Sequence, residues 1–582
     1  MGKKRPRPAA PEKAPGKVPR AGFWAHAAVL LLLAALGAAI YAVSVKGPFL
    51  FDDHGYITNN PLITNFSAFF GERPQPGVNE NVDIHFSGRA AAFFTFALNY
   101  AAGGLDPSGY HVFNIALHVL NSWLVYWLAL LLFSRVPGRG GWADMTQGYT
   151  PGQLRAGAAA AALLFLCHPL QTQAVAYVSQ RFASLSALFC LLSLGCYLSS
   201  RLSAGRAPRW AFYGAALLSA VAAMKTKENS FPLPFMIAAA EFLFFSAPLK
   251  ARLKLLLPLL LTLLIIPAGL MYHGGEARTA AAAMTAAGGK NPDVKSYALS
   301  QPEALVAYLK LLAWPSGQNA DHDPPLRTSA GAPVLGALLL LAALAAYGAR
   351  LAVSEDRLRA VSGFGLGWFF VMSAVESSVI PLGDLMFEHR AYLPSFGLAL
   401  CAGALAAWAA RLTAGSRTAR LAAAAVFLAA CAGLSSAARA RAQLWSDEGA
   451  LWRDAAAKSP RKARPHYNLG SVLVRAERFA EGAAELELAL AVYPDNPDNA
   501  DVYYNLGLAR ARLEDYPRAV KAFLAAQQLA PERDSAYFNL GIVYLKQGRP
   551  EAARRQFEEA LKRNPGHLKA RAKLEQLAAA GL

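Results

Sequence analysis

Cysteine is scarce in this chain, with five in 582 residues. Cys167, Cys190, Cys196, Cys401 and Cys431 lie in or beside apolar runs, and none has a Cys-x-x-Cys or Cys/His spacing. Neither a disulfide framework nor a zinc site is expected from them. No cleavable leader is expected either. The first apolar run, Trp24 to Ser44, is longer than the hydrophobic part of a signal peptide, and no convincing cleavage site precedes Pro48. The run therefore reads as a retained anchor. Acids are outnumbered, 38 against 57 Lys and Arg, for a formal net charge of +19. On a soluble face that excess would suggest nucleic acid. Here most basic residues of the first three-quarters flank apolar runs, as topology signals do, so no nucleic-acid partner is expected.

What is abundant is hydrophobic sequence, 55% of the chain and mostly in blocks. The expected fold is all-α: a polytopic helical membrane domain followed by a soluble helical part. Residues 1–22 read as a disordered basic cytoplasmic tail, 23–440 as the membrane domain and 441–582 as the soluble part. About eleven spans are expected: Trp24–Ser44, Tyr110–Phe133, Ala156–Leu170, Phe182–Leu198, Trp210–Met224, Phe231–Phe245, Leu255–Tyr272, Val334–Tyr347, Val361–Val379, Leu393–Trp408 and Leu421–Leu434. With the tail inside, every inner loop is basic, for example at Arg135, Arg139 and Arg155, or Arg201, Arg206 and Arg209. The outer loops hold the acids Asp52, Asp53, Glu72, Glu80, Asp83, Asp321, Asp323, Asp384 and Glu388. Two apolar stretches, Arg89–Ala102 and Ala304–Trp314, are laid on the outer surface.

From about Trp445 the composition changes to soluble helix, and Leu469-Gly470, Leu506-Gly507 and Leu540-Gly541 align. Pro460, Pro494, Pro531 and Pro565 close successive units at about 463–497, 498–531 and 532–565, with capping helices on either side. Small residues that admit paired helices, aromatics that fill the gap and a closing Pro make the tetratricopeptide pattern, an α-solenoid with a concave groove for an acceptor or partner protein.

The candidate chemistry lies in the outer loops. Asp52 and Asp53 follow the first span, where adjacent acids can supply a general base or a metal ligand, although Asp, Gly, Asn and Pro also make an interfacial turn. His168 to Arg181, Lys225 to Asn229, Asp321-His322-Asp323 and Phe387 to Pro394 share that side. Each has a plain structural explanation. Lys225 and Lys227 can snorkel to headgroups, Arg390 can pair with Glu388 or Asp384, and His111 and His118 can pack within a helix. What favours chemistry is the common side: cations at Arg181, Lys227 and Arg390 facing an acid pair suit a lipid phosphate opposite a base. His168, Glu228, Glu388 and His389 are further site candidates. No cofactor is demanded. A divalent metal, if used, would sit on Asp52 and Asp53 or on Asp321, His322 and Asp323.

Phe51-Asp-Asp-His, His168-Pro169 with Gln180-Arg181, Lys227-Glu228, Glu388-His-Arg-Ala-Tyr-Leu-Pro394 and the C-terminal repeats occur in an order that resembles the transmembrane and tetratricopeptide-repeat O-mannosyltransferases. Fewer repeats and an Ala-rich composition suggest a bacterial-type member. The resemblance implies a GT-C-type glycosyltransferase that uses a polyprenyl-phosphate sugar donor on its outer or lumenal face, with Asp52 and Asp53 as the catalytic acids. Asp53 is expected as the base ahead of Asp52, since adjacent residues in an extended turn face opposite ways and only one can easily reach the acceptor. The expectation is an inner-membrane enzyme, or an endoplasmic-reticulum one in a eukaryote, with repeats outside and a hydroxyl acceptor such as a protein Ser or Thr. Its rivals are a lipid-linked oligosaccharide ligase or transferase and a non-catalytic scaffold for envelope assembly.

Overall fold

Apolar segments rich in Ala and Leu fold as helices here, and side-chain caps set their ends. Asp106 accepts from the Ser108 N–H ahead of Pro107–Ser134. Thr150 and Gln153 form a reciprocal capping box at the start of Pro151–Cys167, and Asp356 and Ser416 cap Arg357–Ser373 and Arg417–Trp445. A computed structural model describes residues 23–70, 86, 88–137, 148–272, 292–494, 496 and 499–581. The expected basic tail, Glu72, Glu80, Asp83 and Arg139 lie outside the described residues. Among those described there is no strand, and the protein is a helical membrane domain followed by tetratricopeptide helices.

Each expected span contains a helix. Seven helical segments are long and apolar enough to cross a membrane: Trp24–Ser44, Pro107–Ser134, Val178–Leu202, Leu249–Gly269, Ala332–Ala352, Ser395–Leu412 and Arg417–Trp445. Pro151–Cys167 bends by 52° into Pro169–Ala176 and would make an eighth. The other expected spans fall on Arg206–Met224, Leu233–Phe244 and Arg357–Ser373, which are shorter or more polar. The chain is thus a multi-pass membrane protein.

The loops between these helices gather in two groups. In one, Ser179 donates to Asp53, Arg89 pairs with Glu228, Lys227 with Glu376, and Gln173 meets His389. In the other, Arg201 pairs with Glu241, Arg357 donates to the Phe133 carbonyl and Gln153 to that of Ala410. The first group holds the candidate chemistry.

Glycines set the closest helix contacts in the membrane domain. A Cβ on Gly397 would lie 2.0 Å from the Gly365 carbonyl oxygen, and one on Gly365 would lie 2.3 Å from that of Gly397. Gly157 and Gly403 face each other in the same way, at 2.6 Å. Backbone contact of this kind replaces the hydrophobic drive that lipid does not supply. Gly397→Ala should therefore force two backbones apart and cost about 1–3 kcal/mol. Gly367, with nothing within 4 Å of an added Cβ, should accept Ala without loss. Thermal unfolding of both variants in detergent checks the contrast.

Arg417–Trp445 runs straight into the soluble part. Glu448–Lys458 leads, followed by the helix pairs Ala463–Arg475 with Phe479–Val492, Asn499–Arg512 with Tyr516–Leu529, and Asp534–Lys546 with Pro550–Arg563; Leu568–Ala579 closes the array. The repeated glycines are where the pairs touch: a Cβ on Gly507 would meet the Phe523 ring at 2.8 Å, and one on Gly541 the Phe557 ring at 2.5 Å.

Candidate active site

The acid pair sits on a strained turn. Phe51 has φ +50°, a left-handed conformation that costs a non-glycine residue roughly 1–2 kcal/mol. Its ring is held by Tyr177, Trp445 and Trp452, at centroid separations of 5.4, 6.4 and 4.3 Å. Packing on that scale is what lets such strain persist. The turn sends the acids opposite ways. Asp53 is 1% exposed, and its two oxygens accept from the Leu50 N–H at 2.9 Å and the Ser179 N–H at 2.7 Å. Asp52 stands exposed, with its own N–H donating to the Tyr177 hydroxyl at 2.9 Å.

Both carboxyls are raised, chiefly by loss of hydration. Asp53 is pushed up to about 7 against the pull of its N–H donors. Asp52 is raised by surrounding protein atoms although it remains accessible. The Tyr177 hydroxyl, Arg464 and Arg89 pull it back down, and the Asp384 charge raises it further. The Asp53 shift has a consequence for stability. An unfolded Asp titrates near 3.8, so between that pH and about 7 the folded chain holds a proton that the unfolded chain has lost. Stability contributed by Asp53 is then full below the lower value and falls as pH rises through the window. Asp53→Asn should flatten that part of the curve of melting temperature against pH.

Arg89 acts on Asp52, and together with Lys227 and Arg390 it also acts on His389, so the cations gather with their counter-ions on this side. Arg89 donates to both oxygens of Glu228, at 3.1 and 2.9 Å. Lys227 pairs with Glu376 at 2.7 Å, the two side chains 9% and 10% exposed. Arg390 donates to the Asp384 carbonyl at 2.9 Å and lies 5.6 Å from the Phe387 ring centroid. The charges of Glu376 and Asp384 act on it. His389 stacks on Phe387 with centroids 5.3 Å apart, and its Nδ1 is 3.1 Å from the Gln173 side-chain oxygen. Burial, then Lys227 and Arg390, hold its imidazole well below the usual histidine range, so it is neutral.

Several expected site residues do other work. Arg181 does not reach the cations. It is fully buried and donates to the Asn114 side chain at 2.7 Å, to Thr95 at 3.1 and 3.2 Å, and to the Tyr110 carbonyl at 3.0 Å, between the Phe96 and Phe113 rings. Four of its five N–H groups are spent on residues of the helices Ala90–Gly103 and Pro107–Ser134, so it serves their packing and not a phosphate. His168 caps the turn after Cys167: its Nδ1 accepts from the Leu170 N–H, and its Nε2 is 3.1 Å from the Leu312 carbonyl. Glu388 is buried and accepts from Gln318, the Asn319 N–H and His322. The Asp321-His322-Asp323 trio is divided among separate partners. Asp321 is neutralised by Lys462 and Arg464, His322 is bound to Glu388, and Asp323 lies 3.6 Å from Arg461. Among the described residues, no group of three or more His, Cys, Asp and Glu could hold a metal ion. Glu228 stays in the site as a counter-ion.

Arg89 and Glu376 were not singled out in the sequence. Both carried a signal. Arg89 is the one cation opening an aromatic, apolar stretch, and Glu376 is an acid near the end of an expected span, where an unpaired charge is costly and calls for a partner.

Residues 461–532 and 535–567 match the tetratricopeptide repeat family. The chain is 29% identical to Protein O-mannosyl-transferase TMTC2 of Homo sapiens over 232 residues, 39% of this chain and 25% of that protein. It is 34% identical to Protein O-mannosyl-transferase TMTC4 of Homo sapiens over 180 residues, 29% of this chain and 22% of that protein. The matched part is thus a quarter or less of the length of these relatives. Among solved structures it is similar to ArnT from Cupriavidus metallidurans bound to undecaprenyl phosphate, at 14% identity and a TM-score of 0.39, over 87% of this chain and 80% of that one. The sequence matches, the repeats and the many apolar helices together make the chain a relative of the transmembrane and tetratricopeptide-repeat O-mannosyltransferases.

Proposed function

We propose that this protein is a membrane glycosyltransferase that moves a sugar from a polyprenyl-phosphate donor to a hydroxyl acceptor, a protein Ser or Thr, on the outer face of a bacterial inner membrane. The observation that carries the reading is an accessible carboxylate with a raised pKa, Asp52, acted on by Arg89, which with Lys227 and Arg390 also faces His389. Asp52 takes the proton of the acceptor hydroxyl. The oxygen bonds to the anomeric carbon as the bond from that carbon to the phosphate oxygen breaks. The electron pair leaves with the polyprenyl phosphate, and its growing charge falls to Arg390, Lys227 and Arg89. A phosphate needs no proton to leave, so one working carboxylate suffices, and direct displacement inverts the anomeric centre.

Glu228 and Glu376 balance the charges of Arg89 and Lys227 until the phosphate arrives. Asp53 holds the turn that presents Asp52. The basic loops of the opposite group support an inside location for that end, and hence an outside one for the site and the repeats. The names of the relatives favour mannose as the sugar.

The test is transfer of mannose from undecaprenyl-phosphate mannose to a Ser/Thr peptide by purified protein. A single sugar on the peptide with inverted configuration, lost in Asp52→Asn, supports the reading. Whole-glycan transfer from a lipid-linked oligosaccharide would replace it with the ligase, and a folded protein that transfers neither would leave the scaffold.

A further inference from the structure

The start of the repeat domain is stitched into the site at three places. Trp452 packs on Phe51, the residue whose strained backbone presents Asp52. Lys458 donates to the Gln318 carbonyl, and Ser459 to that of Asp321. Lys462 and Arg464 together bridge two acids from separate loops. Lys462 reaches Asp321 at 2.5 Å and Asp384 at 2.7 Å. Arg464 reaches Asp321 at 2.6 and 2.7 Å and Asp384 at 2.7 and 3.2 Å. The Asp321 carboxylate is fully buried and that of Asp384 16% exposed, so these are not surface pairs of little consequence. Although burial alone would raise Asp384, the two cations hold it well below the usual carboxylate range.

The acids they clamp belong to the phosphate side of the site. The Asp384 carbonyl accepts from Arg390. The segment that carries Asp321 also supplies Gln318, Asn319 and His322 to Glu388, two residues before Arg390. A repeat array added only to recruit a partner would need a tether, not a charge clamp on the catalytic loops.

Resting on the transferase reading above, we propose that the leading helix and the first repeat are part of the active site, with Arg464 and Trp452 as positioning residues that hold the Arg390 loop and the Asp52 turn in place. Occupancy of the repeat groove can then reach the chemistry through these contacts. The charged and titratable groups that face Asp52 are Arg464, Asp384 and Arg89, with the Tyr177 hydroxyl, neighbouring Asp53 and Tyr56. Loss of the Arg464 charge should raise the pH at which Asp52 becomes an effective base.

The experiment uses the full chain with Arg464→Gln, Arg464→Lys and Trp452→Leu. Transfer from undecaprenyl-phosphate mannose to a short Ser/Thr peptide is measured against pH. Arg464→Gln should lose about tenfold or more in kcat, as a small misplacement of reacting groups does, and its acid limb should move to higher pH. Arg464→Lys should restore the limb but only part of kcat. Amide exchange gives a second readout without donor or acceptor. Arg464→Gln should raise exchange over 387–392, and Trp452→Leu over 50–58, with exchange over 499–563 unchanged. Wild-type kcat within twofold together with unchanged exchange at both segments would overturn the proposal. If Asp52→Asn keeps full turnover, the base assignment falls instead, and the exchange result still decides whether the repeat holds the loops.

Discussion

Asp52→Asn is expected to lower turnover by about 10²–10⁴, the usual weight of general-base help, with little change in donor binding. Asn keeps the shape and the accessible position, and only the proton-accepting power is lost. Asp53→Asn should behave differently. Its amide can offer one oxygen to Leu50 or Ser179 but must aim an N–H at the other donor. A buried unsatisfied group costs about 1–3 kcal/mol, so this variant should lose stability first and turnover second. Steady-state kinetics, donor binding and melting temperature on the two purified variants separate these outcomes. Equal kinetic loss at constant stability would mean that both acids act directly, and wild-type turnover in Asp52→Asn would remove it as the base.

Arg390→Ala should cost on the order of 10²–10³ in turnover, as loss of a charge-stabilising donor at a leaving group does. Arg390→Lys keeps the charge but not the planar fork, which here also reaches the Asp384 carbonyl. It should bind the donor more weakly and release phosphate more slowly, with losses smaller than for Ala. Arg181→Lys is the informative contrast. Its guanidinium is spent on Asn114, Thr95 and Tyr110, so the change should lower the melting temperature and leave donor affinity intact. Loss of donor affinity in Arg181→Lys, in a preparation of normal stability, would return that residue to the phosphate site.

The repeats were legible because their signal is local. Gly507 touches Phe523 and Gly541 touches Phe557 at fixed spacing within one helix pair, so the chain states the contact within a few residues of itself. The spans were legible through composition, although Leu233–Phe244 and Arg357–Ser373 are too short to be recognised by length alone. The site was legible only by residue type. Arg181 and Arg390 look alike in sequence. What separates them is the set of carbonyls and hydroxyls from 67 to 86 residues away that surrounds Arg181. The sequence favours Asp53 as the base, and what turns the choice to Asp52 is the Ser179 N–H, 126 residues on, which takes up the buried Asp53. Asp321-His322-Asp323 resembled a metal site because Lys462 and Arg464, about 140 residues later, are invisible to a local pattern.

The reach of those contacts also bears on biosynthesis. The Asp52 turn emerges early from the ribosome, but Trp445, Trp452, Lys462 and Arg464, which fix it and its opposite loop, come some 400 residues later. At the usual pace of translation, roughly 5–20 residues per second, the acid turn waits for tens of seconds with Tyr177 but without Trp445 and Trp452. A nascent chain with all its spans inserted but its first repeat still in transit carries every catalytic side chain and no finished centre. With the repeats on the outer face, as proposed, activity would begin with their delivery across the membrane, and that last translocation step would be the checkpoint of assembly.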